Sequence, residues 1–128
     1  MIYGQVLDFH FQSQTSSLED LRRIHLLKTG QLIGLCLQGV GHIAGSSPEQ
    51  IKDLKSIGLD IGLAFQIKDD LLDSDKDEAQ SFLRFMSPQE TQDRLQDLSE
   101  SLLQRLAELS KDATTLQELV LYNQSRER

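Results

Sequence analysis

Apolar residues recur along this chain at helical intervals. Leu95, Leu98, Leu102, Leu106 and Leu109 form one stripe in steps of three and four, and Leu54, Ile57, Ile61 and Phe65 form another. Leu116, Leu119 and Val120 mark a short final helix. No stretch alternates apolar and polar with period two, and no turn dipeptide separates two apolar runs, so no strand is predicted. Helix starts are punctuated by serine. Ser17 with Asp20, Ser47-Pro48-Glu49-Gln50 and Ser87-Pro88-Gln89-Glu90 place a capping hydroxyl before the helix and an acid or amide three residues later, twice with proline in the first helical position. Thr114 with Gln117 is a weaker fourth case. The pattern predicts helices over 2–11, 18–44 with a kink near Gly30, 49–73, 88–110 and 114–125, joined by loops at 12–16, 45–47, 74–81 and 111–113. The expected fold is all-α, a bundle of about five helices in a single domain over 1–128. Gly58 and Gly62, one turn apart, predict a face on which a neighbouring helix comes close.

Composition narrows the function classes. A formal net charge of −7 argues against nucleic-acid or anionic-membrane partners and suits either a solvated acidic surface or a cation site. The apolar run from Leu32 to Val40 is broken by Gln38 and is too short to span a bilayer. Its single cysteine, Cys36, allows no internal disulfide, which points to a reducing, cytoplasmic setting, and its apolar neighbours predict a buried thiol. The start MIYGQVLDFHF has neither the basic nor the apolar segment of a signal peptide. His10, His25 and His42 form no ligand pattern and read as ordinary helix residues, while Phe82, Phe85 and Met86 read as a core stripe.

The chemically informative stretch is Phe65-Gln66-Ile67-Lys68-Asp69-Asp70-Leu71-Leu72-Asp73. On a helix Asp69 and Asp73 lie one turn apart, Asp70 borders their face, and Gln66 sits one turn before. Like charges one turn apart repel, and the helix C-terminus disfavours anions, each by roughly a few tenths of a kcal/mol when exposed. A divalent cation reverses both signs, and magnesium suits one or two carboxylates completed by phosphates and water. Spacing alone favours a solvated acidic helix end and leaves the metal reading open. An EF-hand loop at Asp73, Asp75 and Asp77 fails at its sixth position, Glu78, and at its twelfth, Arg84.

The segment from Phe65 to Asp73 resembles the second aspartate-rich motif of the trans-prenyl diphosphate synthases, the farnesyl and geranylgeranyl diphosphate synthase family. Gly4-Gln5-Val6-Leu7-Asp8 resembles that family's Gly-Gln-x-x-Asp segment, and His25-Leu26-Leu27-Lys28-Thr29-Gly30 its Lys-Thr-Gly/Ala segment, in family order and with family-like spacing. The resemblance is close over 1–73 and looser beyond. It implies a partial isoprenoid synthase fold and a trans-prenyltransferase that joins an allylic prenyl diphosphate to isopentenyl diphosphate with Mg2+. By position it implies that Asp69, Asp70 and Asp73 hold magnesium. It also implies that Lys28 meets the leaving diphosphate, that Thr29 and Gln66 line the reacting centre, and that Gln5 and Asp8 lie nearby on a facing helix. A lysine is suited to a phosphate as a point charge.

The family's first aspartate-rich motif and its following arginines have no counterpart here. The resemblance places them ahead of Met1, which implies a truncated or split frame and a partner, either a complementary N-terminal half or a second copy. The loop after Asp73 is acidic where the family has lysine and glycine. Three functions follow as alternatives: half of a prenyltransferase, a magnesium–diphosphate binding or regulatory module without turnover, and a helical remnant with no specific ligand.

Overall fold

The computed structural model describes residues 2–10, 17–73, 81–110 and 112–127. Among these described residues six α-helices run in order: α1 (Ile2–His10), α2 (Leu18–His25), α3 (Gln31–Ile43), α4 (Pro48–Leu72), α5 (Pro88–Leu109) and α6 (Thr114–Ser125). A π-helical turn, Leu26–Gly30, joins α2 to α3, and a 3-10 turn, Phe82–Arg84, precedes α5. No strand occurs among the described residues. The predicted helix over 18–44 is therefore real, and its kink near Gly30 is a π turn that contains Lys28, Thr29 and Gly30. Phe11 and the predicted loops at 12–16 and 74–80 lie outside the described residues.

Local chemistry explains the boundaries. Ser47 accepts from Gln50 N–H, and the Gln50 side chain accepts from Ser47 N–H at 3.0 Å, a complete capping box with Pro48 in the first turn. Ser87 and Glu90 repeat the arrangement, with Ser87 N–H donating to Glu90 Oε2 at 2.8 Å. Ser17 accepts from Asp20 N–H at 3.1 Å and donates its hydroxyl proton to the Asp20 carboxylate at 2.7 Å, as Ser87 does to Glu90. Thr114 does not cap α6, whose N-cap is Ala113 with no side-chain bond. At the end of α3, Gly45 takes φ +70. There Ser46 N–H reaches Gly41 O and Gly45 N–H reaches His42 O, which closes the helix in a Schellman arrangement.

The predicted glycine face is a tightly closed seam. A Cβ on Gly58 would lie 2.6 Å from Gly34 Cα, and one on Gly62 would lie 2.5 Å from Gly30 Cα. Four glycines, two from each segment, thus bring the backbones of α3 and its π turn against α4. On the opposite side of α4, Ile57, Ile61 and Ile67 meet Leu95, Leu102 and Leu106 of α5, with Val120 of α6 closing the core. Arg105 donates to Asp60 at 2.7 Å and ties α5 to α4 at the rim. Phe82 is fully buried and Phe85 and Met86 pack against the same core, as the stripe predicts.

Cys36 corrects the sequence reading, because it is exposed. Gly30, Gly34 and Gly41 turn their side of the helix toward α4, which leaves Leu32, Leu35, Cys36, Val40 and Ile43 on the outer side. The run is apolar all round, and only the glycine contacts decide which side is covered. Among the described residues no helix is long and apolar enough to cross a membrane.

Candidate functional site

Two of the motifs meet by backbone contact, and the third starts on α4 just after a glycine that touches the second. A Cβ on Gly4 of α1 would fall 2.4 Å from the carbonyl carbon of Leu27 and 2.5 Å from Lys28 N, so α1 lies directly on the turn that carries Lys28. The other side of that turn presses on α4, where the Gly62 Cβ position lies 3.3 Å from the Thr29 carbonyl carbon. Gln66 follows one turn after Gly62 on α4. Lys28 and Thr29 are half-buried, and Gln5 is exposed on α1. Asp8 belongs to α1 by its backbone, and its side chain lies outside the described residues.

The end of α4 is held from several elements. Gln66 Nε2 donates to Asp69 Oδ2 at 3.3 Å, and Gln66 Oε1 lies 2.9 Å from His25 Nδ1 at the end of α2. His25 is buried and stacks on the Phe82 ring, with centroids 5.4 Å apart and planes 17° from parallel. Phe82 N–H in turn donates to Asp70 Oδ2 at 2.7 Å. The other Asp69 oxygen, Oδ1, is ion-paired with Arg126, just beyond α6. Arg126 is fixed there by Asn123 Oδ1 at 3.0 Å and by the Phe65 ring 5.3 Å below its guanidinium. Lys68 Nζ donates to Gln124 O at 3.1 Å, a second tie between α4 and the chain end.

The carboxylates therefore separate by role. Asp69 is part-exposed, Asp73 is the exposed C-cap residue of α4, and Asp70 turns inward, where one oxygen caps the 3-10 turn. Among the described residues no group of three His, Cys, Asp or Glu side chains is arranged to hold a metal ion. The donor set is too open for an all-protein cage. It fits magnesium as that ion is commonly bound, through one or two carboxylates with phosphate and water completing the shell. The Arg126 guanidinium shows that the Asp69 carboxylate already takes a cation at this position.

Two members of this site, His25 and Arg126, are absent from the sequence-based candidates. His25 lies 41 positions from Gln66 and Arg126 lies 57 from Asp69, so no local pattern links them. The nearest sequence signal is His25 falling one helical turn before Thr29.

An all-helical bundle that crosses a lysine-bearing π turn over a long helix with an acidic end defines a protein of the isoprenoid synthase fold. The sequence profile of the polyprenyl synthetase family matches residues 1–84, and the chain belongs to that family. The farnesyl diphosphate synthase of Micrococcus luteus is 47% identical over 73 residues, which is 57% of this chain and 25% of that protein. The apo crystal structure of an FPP/GFPP synthase from Zymomonas mobilis superposes with a TM-score of 0.88 at 30% identity, covering 96% of this chain and 45% of that one. A geranyltransferase from Helicobacter pylori, solved with magnesium and isoprenyl diphosphate, superposes with a TM-score of 0.76 at 29% identity, covering 96% of this chain and 45% of that one. The chain thus spans about a quarter of this curated relative and under half of each of these two solved structures. The likeness to solved structures extends through α5 and α6, beyond the stretch the family profile covers.

Proposed function

We propose that this chain is one half of a trans-prenyltransferase, condensing an allylic prenyl diphosphate with isopentenyl diphosphate when the other half is supplied. In this reading residues 1–128 form a single domain equivalent to the C-terminal half of a polyprenyl synthetase, with its second aspartate-rich motif at 69–73. The observation that carries the reading is the meeting of all three motifs: Gly4 on the Lys28 turn, Gly30 on Gly62, and Gln66 beside Asp69.

In this proposal Asp69 and Asp73 hold Mg2+ at the end of α4, and Asp70 contributes chiefly by fixing the turn at Phe82. Bound magnesium would supply positive charge to the diphosphate oxygens as the allylic carbon–oxygen bond breaks. Lys28 places a further positive charge toward the leaving diphosphate, and Thr29 and Gln66 supply polar atoms beside it. Gln5 and Asp8 border the same site from α1. The exposed apolar row of α1 and α3, including Ile2, Leu35 and Ile43, supports a partner, the complementary N-terminal half or a second copy of this chain. A cytoplasmic location belongs to the same reading, in keeping with a lone exposed thiol.

Magnesium–diphosphate binding without turnover is a second reading, favoured by the lack of a three-ligand cluster among the described residues. Calorimetry with Mg2+ and inorganic pyrophosphate tests what the two share. Binding that needs both components and weakens about tenfold or more in Asp69→Ala is expected. Binding indifferent to Asp69→Ala, or none at all, would reject the binding module, and a further lack of prenyl transfer with an N-terminal half supplied would leave a helical remnant.

A further inference from the structure

We infer that His25 is a positioning residue for Gln66, and that it does so as the tautomer that carries its proton on Nδ1. The argument starts from Asp69. An ionised carboxylate only accepts hydrogen bonds, so the Gln66 atom that faces Asp69 Oδ2 at 3.3 Å must be the amide nitrogen. The Gln66 carbonyl oxygen is then turned to His25, 2.9 Å from Nδ1. A carbonyl oxygen only accepts, so Nδ1 must donate. One charge at the end of α4 thereby orients an amide, and the amide selects the protonation of a ring on another helix.

The reverse coupling gives His25 its role. The ring is 5% exposed and lies flat against Phe82. Phe82 is itself fixed by its N–H to Asp70. The imidazole therefore has little freedom to swing, and its Nδ1–H marks a fixed point to which the Gln66 oxygen is drawn. Without that point the half-buried Gln66 amide could flip and set its oxygen against the Asp69 carboxylate, where two acceptors repel. His25 is linked to Asp69 by way of the Gln66 amide. It acts through Gln66, as outer partners commonly orient the groups that meet a metal or its ligand. This inference rests on the magnesium–diphosphate reading for its consequence and on geometry alone for its tautomer.

The test uses the full chain and separates those two parts. Nitrogen-15 spectra of the histidine rings should show His25 protonated on Nδ1, against the Nε2–H form that neutral histidine ordinarily favours. The Gln66 side-chain amide signals should shift in His25→Leu and return toward wild type in His25→Asn, whose amide N–H can donate from nearly the Nδ1 position. In the same variants the affinity for Mg2+ with inorganic pyrophosphate should fall about tenfold to a hundredfold for His25→Leu and recover in His25→Asn. Gln66→Leu should remove the difference between the two. A neutral ring protonated on Nε2 alone, or Gln66 signals unmoved in a folded His25→Leu, overturns the inference. If wild type shows the Nδ1–H ring and the Gln66 shifts but binds no pyrophosphate, the functional reading fails and the positioning stands. If affinity falls equally in His25→Leu and His25→Asn, His25 serves the fold and not Gln66.

Discussion

The middle of α4 and its C-terminal end are built on opposite principles. From Gly58 to Gly62 the helix meets α3 through missing side chains: two glycines face two more on α3 and its π turn. One turn later, from Gln66 to Asp73, it is held by side chains alone. His25, Phe82 and Arg126 converge on it from separate elements through hydrogen bonds, stacking and an ion pair. The first region sets how close the helices stand. The second places charge, and it depends on the first, because Gln66 reaches His25 only when the seam is closed. A perturbation of the seam should therefore damage both regions, whereas one at the acidic end should change ligand binding and leave the fold nearly intact.

The largest break in that comparison comes from filling the seam. Gly58→Leu should lose about 3 kcal/mol in urea denaturation, because the new atoms meet backbone that cannot rotate away. Gly39→Ala on α3, the helix across the seam, is the control. No atom lies within 4 Å of its Cβ position, so it should gain up to about 1 kcal/mol from helix propensity.

Asp70→Ala should cost about 2 kcal/mol by stripping the buried Phe82 N–H of its acceptor, and Asp70→Asn should cost less because one oxygen remains. Arg126→Ala should cost no more than about 1 kcal/mol, since its partner Asp69 is nearly half exposed and solvent screens the pair. Its larger signature should be on ligand affinity: Mg2+ should bind Asp69 more tightly once the competing guanidinium is gone. Unchanged Mg2+ affinity in that variant would separate Arg126 from the cation site.

The smallest effect belongs to the α5 cap. Hydrogen bonds from the Ser87 backbone and side chain lower the pKa of Glu90 below its ordinary 4.5. Its contribution is therefore complete above that value and fades as pH falls through the lowered one. Glu90→Gln should flatten this part of the acid-unfolding curve and leave the neutral-pH curve almost unmoved.

Much of this contrast could be read from the residues. The two Ser-Pro starts are local, since each capping box lies within four residues, and the structure matches them to within a residue. Gly58 and Gly62 predicted a close neighbour because a missing side chain one turn apart on a helix has few other uses. The face of α3 was not legible. Its apolar residues surround the helix, so Cys36 read as buried until the glycine contacts turned it outward. The acidic end was legible as a group of residues but not as an arrangement. Helical spacing put Asp70 beside Asp69, yet the turn at Phe82 draws it inward, and that turn follows a loop whose path the spacing does not set. His25 and Arg126 reach the site across 41 and 57 positions, a distance at which only the folded bundle selects partners.

The most direct test of the central claim is reconstitution. The chain would be co-expressed with the N-terminal half of the Micrococcus luteus farnesyl diphosphate synthase, and prenyl transfer from an allylic diphosphate to labelled isopentenyl diphosphate would be followed with Mg2+ present. The account predicts product only when both halves are together, and none when this chain carries Asp69→Ala. A complex of the two halves that forms and yields no product, or product that persists in Asp69→Ala, would contradict it.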